Sequence, residues 1–122
     1  MPRAPASPRS TCPVACSLDL LGDRWTLLVI RDLLHGKHRF GEFLASPERI
    51  PTNILAERLK RLEAAGLVEA TPYTQHPPRF DYHLTERGWS LEPVMDAVAR
   101  WGLAQFPGTR LPDRPRRAAS AS

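Results

Sequence analysis

Thr52-Asn53-Ile54-Leu55-Ala56-Glu57-Arg58-Leu59-Lys60-Arg61-Leu62-Glu63-Ala64-Ala65-Gly66 is the stretch that decides the fold. Leu55, Leu59 and Leu62 fall at i, i+4 and i+7, one face of a helix of 3.6 residues per turn. The pattern predicts a helix over 53–65 with Thr52 as its cap, and Gly66 stands where a helix end wants positive φ. At about 100° per residue, the face opposite the leucines carries Asn53, Ala56, Glu57, Lys60 and Ala64, with Arg58 and Arg61 on its flanks.

That polar face has two readings. A helix with a narrow polar outer face fits the major groove of B-DNA. Asn pairs with adenine, Ala permits close approach, Glu accepts from cytosine, and Lys or Arg reaches guanine or phosphate. Thr52 and Asn53 at the helix start add free amides and the dipole, which attract a phosphate. The other reading is a solvated face stitched by local ion pairs, Glu57 and Arg61 being four apart in the favourable order.

The flanking segments bear on the choice. Residues 67–73 read as extended chain, 74–78 as a turn, and 79–84 alternate Phe80, Tyr82 and Leu84 against Asp81 and His83. Together they predict a β-hairpin. Its polar tip carries Gln75, His76 and Arg79, candidates for the sugar–phosphate backbone or minor groove. Before the long helix, residues 40–45 form a short helix with Phe40, Phe43 and Leu44 inward, preceded by the phosphate candidates Lys37, His38 and Arg39. Further upstream, Pro13 opens a helix carrying Val14, Leu18 and Leu21, and Gly22 ends it. Asp23 caps the next helix, whose apolar stripe is Trp25, Leu28, Val29, Leu33 and Leu34, stopped by Gly36. A last helix, from Thr85 to about Phe106, is expected to kink near Pro93. The order of elements is that of a mainly α winged helix-turn-helix with a small β-hairpin wing.

Composition narrows the class. The 122 residues suit one domain, and 42% hydrophobic content supports a modest core. Residues 1–11 and 107–122, rich in Pro, Ala, Ser and Arg, read as flexible tails around a domain spanning 12–106, the C-terminal one basic through Arg110, Arg114, Arg116 and Arg117. Seventeen Lys+Arg against thirteen Asp+Glu leave +4, which suits a polyanionic partner. No apolar run approaches the roughly 20 residues of a membrane span, and no signal-peptide pattern opens the chain. A cytoplasmic protein with reduced thiols is expected, since Cys12 and Cys16 are too few for a disulfide scaffold.

Chemistry finds no footing. There is no glycine-rich phosphate loop and no metal-spaced cysteine set, and His35, His38, His76 and His83 are scattered over different elements. Neither an enzyme nor a cofactor or metal site is expected. The rival to DNA binding is a winged-helix protein-interaction module. Such a module would show an apolar or acidic face over 53–61, where this chain is mixed and mostly basic.

With these residues assembled, the chain resembles the HxlR family of bacterial winged helix-turn-helix regulators. The resemblance runs from Cys12 to about Phe106. Its carriers are Cys12-Pro13-Val14, Leu20-Leu21-Gly22-Asp23-Arg24-Trp25, Arg39-Phe40-Gly41-Glu42-Phe43 and Leu55-Ala56-Glu57-Arg58-Leu59-Lys60-Arg61-Leu62. They continue with Ala65-Gly66-Leu67-Val68, Pro77-Pro78-Arg79-Phe80-Asp81-Tyr82-His83-Leu84-Thr85, Gly88, Pro93 and Trp101-Gly102. The resemblance implies a homodimeric regulator of double-stranded DNA, usually a repressor, held together by its N- and C-terminal helices. Here that places Val14, Leu18, Leu21, Leu91, Val94, Val98 and Trp101 at the interface, with an intrachain core role as the alternative. It also makes Cys12 a candidate oxidant sensor, with Arg9 or Arg24 as the cation that would lower its pKa, and Cys16 a packing residue or at most a resolving thiol in the partner subunit. A small-molecule effector is a further possibility, with Trp25, Phe43, Trp89 and Trp101 as candidate pocket residues.

Overall fold

The computed structural model describes residues 10–111. Eight elements follow in order: α1 (Pro13–Leu21), α2 (Thr26–Leu34), α3 (Phe40–Leu44), α4 (Thr52–Ala64), β1 (Val68–Gln75), β2 (Pro78–Leu84), α5 (Glu86–Trp89) and α6 (Glu92–Gln105). The chain is a winged helix-turn-helix: α2, α3 and α4 form the helical layer, and the antiparallel β1–β2 hairpin is the wing.

The core is made where apolar stripes meet. Val29, Ile30, Leu33 and Leu34 from α2 pack with Phe43 of α3, Ile50, the α4 leucines Leu55, Leu59 and Leu62, and Leu67 and Val68 entering β1. Burial of each such side chain stabilises the fold by roughly 1.5–3 kcal/mol. Both long core helices end in the same way. Gly66 at φ 77° lets Leu67 N donate to Leu62 O and Gly66 N to Glu63 O, so the last α4 carbonyls are satisfied as the chain turns into the wing. Gly36 at φ 94° does this for α2, with Lys37 N on Asp32 O and Gly36 N on Leu33 O.

Four local expectations are corrected. Thr52 is the first helical residue of α4 and Pro51 occupies the cap position, with no side-chain cap bond. Asp23 lies ahead of the start of α2, its carboxylate accepting from Trp25 N at 2.8 Å and Thr26 N at 3.0 Å, so it closes the corner rather than capping at the adjacent residue. The strands run to Gln75 and from Pro78, longer than the alternation suggested, because ladder bonds continue past the apolar positions and leave only His76-Pro77 at the tip. The last helix is broken rather than kinked. Pro93 lacks an N–H and crowds the carbonyl four residues back, so α5 ends at Trp89 and α6 starts afresh at Glu92.

Thr85 ties the break to the wing. Its hydroxyl donates to Gly66 O at 2.6 Å and accepts from Gly88 N, while its own amide bonds Leu67 O. Gly88 is pressed so closely here that an added Cβ would lie 2.1 Å from Leu67 O. Gly41, by contrast, faces open space. Gly88→Ala should therefore lower unfolding free energy by about 1–3 kcal/mol or more, whereas Gly41→Ala should be neutral or slightly stabilising. Urea unfolding of the two variants checks this, and equal stability of both would contradict the packing described.

Candidate nucleic-acid interface

The burial of Leu55, Leu59 and Leu62 sets the rotation of α4. Thr52, Asn53, Ala56, Glu57, Lys60 and Ala64 are consequently exposed on one side of it. The two flanking arginines differ. Arg58, expected as a DNA contact, is only 15% exposed, and its Nε donates to Asp23 Oδ1 at 3.0 Å while a terminal nitrogen bonds the Glu57 carboxylate. Arg61 is 35% exposed and more loosely held, 3.5 Å from Glu57 Oε1 and 4.0 Å from Asp23 Oδ2.

Asp23 is the anchor of this group. Burial opposes its ionisation, but hydrogen bonds from the Thr26 hydroxyl, the Trp25 and Thr26 amides and the Arg58 guanidinium outweigh that. Together they hold the carboxyl far below the usual carboxylate range. No local pattern signals a pair 35 residues apart.

A second set of polar contacts holds the turn into α4. Ser46 is buried and its hydroxyl donates to Asp32 Oδ2 at 2.6 Å, while Lys37 Nζ donates to Ser46 Oγ at 2.7 Å. Arg31 grips both Glu48 oxygens at 2.8 Å and also contacts Asp32, so the loop is bound to α2 by a bidentate pair. Within that loop Arg49 adopts φ 59°, and its amide bonds Ser46 O.

The wing stands beside the helices on a third set. Arg39 Nε lies 2.8 Å from Asp81 Oδ1, and its guanidinium carbon sits 3.7 Å from the centre of the Tyr73 ring. Tyr73 is available for this because the register shifts between Pro72 and Thr74. Tyr82 N donates to His38 O at 2.8 Å, and the His38 and His83 rings stack. Glu42 Oε1 accepts from the His38 and Arg39 amides, which keeps its carboxyl below the usual range and fixes the start of α3. Arg39, His76 and Arg79 are all exposed, Arg39 already engaged and Arg79 at the wing's outer end.

The apolar residues expected at a dimer interface divide into two groups. Val14, Leu18, Val94, Val98 and Trp101 are exposed, from 42% for Val94 to 64% for Val14. Leu21 and Leu91, placed with them in the sequence, instead pack against the core. Trp101 meets Phe106 edge-on, Phe43 is buried in the core, and Trp25 and Trp89 pack on its outside, so the four rings do not share one pocket. Cys12 is exposed at the start of α1, and the Cys16 thiol donates to Ser10 O. Arg24 lies over the Trp25 ring, and Arg9 falls outside the described residues.

Residues 20–109 match the family described as HxlR-like helix-turn-helix. The chain belongs to this family. The HTH-type transcriptional regulator YdeP of Bacillus subtilis is 38% identical over 91 residues, which cover 75% of this chain and 71% of YdeP. A structure of the redox regulator HypR in its reduced form superposes with a TM-score of 0.72 at 35% identity, covering 79% of this chain and 95% of that one. The reduced form of the transcriptional regulator YodB from B. subtilis does so at 0.64 and 36%, covering 81% and 97%. This HxlR-like chain is thus a transcriptional regulator of winged-helix type. No helix among its described residues is long and apolar enough to cross a membrane.

The electrostatics of Asp23 carry a pH signature. Its folded pKa is depressed, so its stabilisation is present above the unfolded value near 3.9 and is lost as pH falls towards the folded one. Asp23→Asn should cost about 1–2 kcal/mol at neutral pH. Denaturant titrations of both proteins should show that gap shrinking below about pH 4. A gap unchanged with pH would mean that the charge of Asp23 contributes nothing.

Proposed function

We propose that this HxlR-like regulator is a cytoplasmic homodimer that binds an inverted-repeat operator, in most settings as a repressor. The observation that carries the reading is the two-sided α4: three leucines seated in the core, and Asn53, Ala56, Glu57 and Lys60 exposed opposite them. In this reading these four and Arg61 face the major groove, with the N-terminal turn at Thr52 near a phosphate. Arg79 and His76 at the wing meet the backbone or minor groove, and Arg39 at the wing's root approaches phosphate while staying paired with Asp81. The exposed Val14, Leu18, Val94, Val98 and Trp101 would be covered by a second copy, which supplies the second half-site contact about one helical turn away.

Relatives described as redox regulators, together with the exposed position of Cys12, support an oxidant response through this thiol. Joining two Cys12 thiols of a dimer would release two protons and pass two electrons to a peroxide or diamide-type oxidant. Cys12→Ser should then bind DNA equally before and after oxidant, while the wild type changes affinity.

Two measurements test the main reading. Fluorescence anisotropy should show Lys60→Ala/Arg61→Ala losing operator affinity, with the log–log salt dependence shallower by up to about 1.8 for two lost phosphate contacts, and the fold intact by circular dichroism. Unchanged affinity would remove α4 as the reading helix. Sedimentation should show a dimer for the wild type and a monomer for Val98→Asp/Trp101→Glu; a wild-type monomer at micromolar concentration would remove the pairing.

A further inference from the structure

We propose that Asp23 is a specificity-setting residue, which withholds the Arg58 guanidinium from DNA and leaves the DNA-facing positive charge of α4 to Lys60 and Arg61. The proposal rests on the DNA-binding reading above and names a regulator of that same surface.

Arg58 stands on the edge of the outward face, and a free arginine there would reach any nearby phosphate. It is instead held by two carboxylates, with Nε 3.0 Å from Asp23 Oδ1 and a terminal nitrogen on Glu57. The anchor cannot follow it outward. Asp23 is fixed by contacts that have nothing to do with α4: the amides of Trp25 and Thr26, and the Thr26 hydroxyl. Thr26 is itself buried.

Arg61 is held differently. Its approaches to the same carboxylates are longer, 4.0 Å to Asp23 and 3.5 Å to Glu57, and its Nε is buried with no hydrogen-bond partner among the described residues. Swinging Arg61 out to DNA therefore breaks no bond at Nε and gives that group the chance of one. Asp23 thus sorts two arginines three residues apart into one that stays and one that can leave.

The consequence is selectivity. Asp23, Glu57, Arg58 and Arg61 form a group of two negative and two positive charges, which projects little net field. An arginine released from it would find a phosphate in any register, so the gain would fall mainly on unrelated DNA, where no seated geometry restrains it.

The test is Asp23→Asn in the full chain. Asn keeps an oxygen to accept from the Trp25 and Thr26 amides and loses the charge that holds Arg58. Anisotropy would follow two probes across a salt series: a duplex selected by the wild type from a randomised library, and a random-sequence duplex pool of equal length. The variant should bind the random pool roughly three- to tenfold tighter at low salt, with a log–log slope steeper by about 0.9. Its preference for the selected duplex should fall correspondingly. Adding Arg58→Met should abolish the change, and Arg58→Met alone should leave the wild-type slope unaltered. That last arm holds even if Asp23→Asn folds poorly, because an Arg58 that contacts DNA in the wild type would lose slope on removal. The proposal is overturned if Asp23→Asn keeps the wild-type slope and preference, if the double variant retains the effect, or if Arg58→Met alone flattens the slope. A wild type that selects a sequence while the variants change nothing sinks only the role of Asp23. A wild type that binds no duplex at low salt sinks the DNA-binding reading and this proposal together.

Discussion

The polar face that α4 presents depends on how that helix is seated. Leu55, Leu59 and Leu62 lock into a core built by α2, Phe43 and the first residues of the wing. A helix so inserted cannot rotate without withdrawing three buried side chains, at roughly 1.5–3 kcal/mol each. The rotation in turn decides that Asn53, Ala56, Glu57 and Lys60 face outward together. Gly66 then reverses the chain within two residues, so the wing leaves from the end of the same helix. Core and polar outer face are two sides of one element.

Around that seat, charged groups do the work of alignment. Asp23 holds the flank of α4 to the corner before α2, Arg31 and Asp32 hold the turn that enters α4, and Arg39 holds the root of the wing. Each joins elements apart in the chain, and two of them use cations, Arg58 and Arg39, that sequence alone would offer to DNA. Part of the basic character of the molecule is thereby spent internally. Net charge is a weak guide to outward charge for that reason: Lys60 and Arg79 are exposed, while Arg61 is half-buried and only loosely held.

The apolar surface left open on α1 and α6 has the opposite character. Val14, Leu18, Val98 and Trp101 lie outside the core cluster and are half exposed or more. Exposed apolar side chains of that kind favour association with another protein surface. Leu21 and Leu91 show how fine the division is, since neighbouring positions on the same segments turn inward to the core.

Much of the fold was legible in the residues because its signals are local. The leucine spacing of α4, the glycines that end α2 and α4, and the alternation of the wing each act within a few positions, and the elements formed where these patterns lie. The break at Pro93 is legible as a disruption but not in degree, because a missing amide and a steric clash can bend a helix or end it, and neighbouring packing chooses. The candidate site was legible by face and not by partner. That Arg58 would turn to Asp23 and Arg39 to Asp81 and Tyr73 depends on contacts 35 and 42 residues apart for the ion pairs. The sequence by itself determined which residues α4 can show, through a period set by backbone geometry. Only the tertiary structure decided which of those charges are free, because an arginine's long, flexible side chain takes the nearest carboxylate, and nearness across the chain exists only after folding.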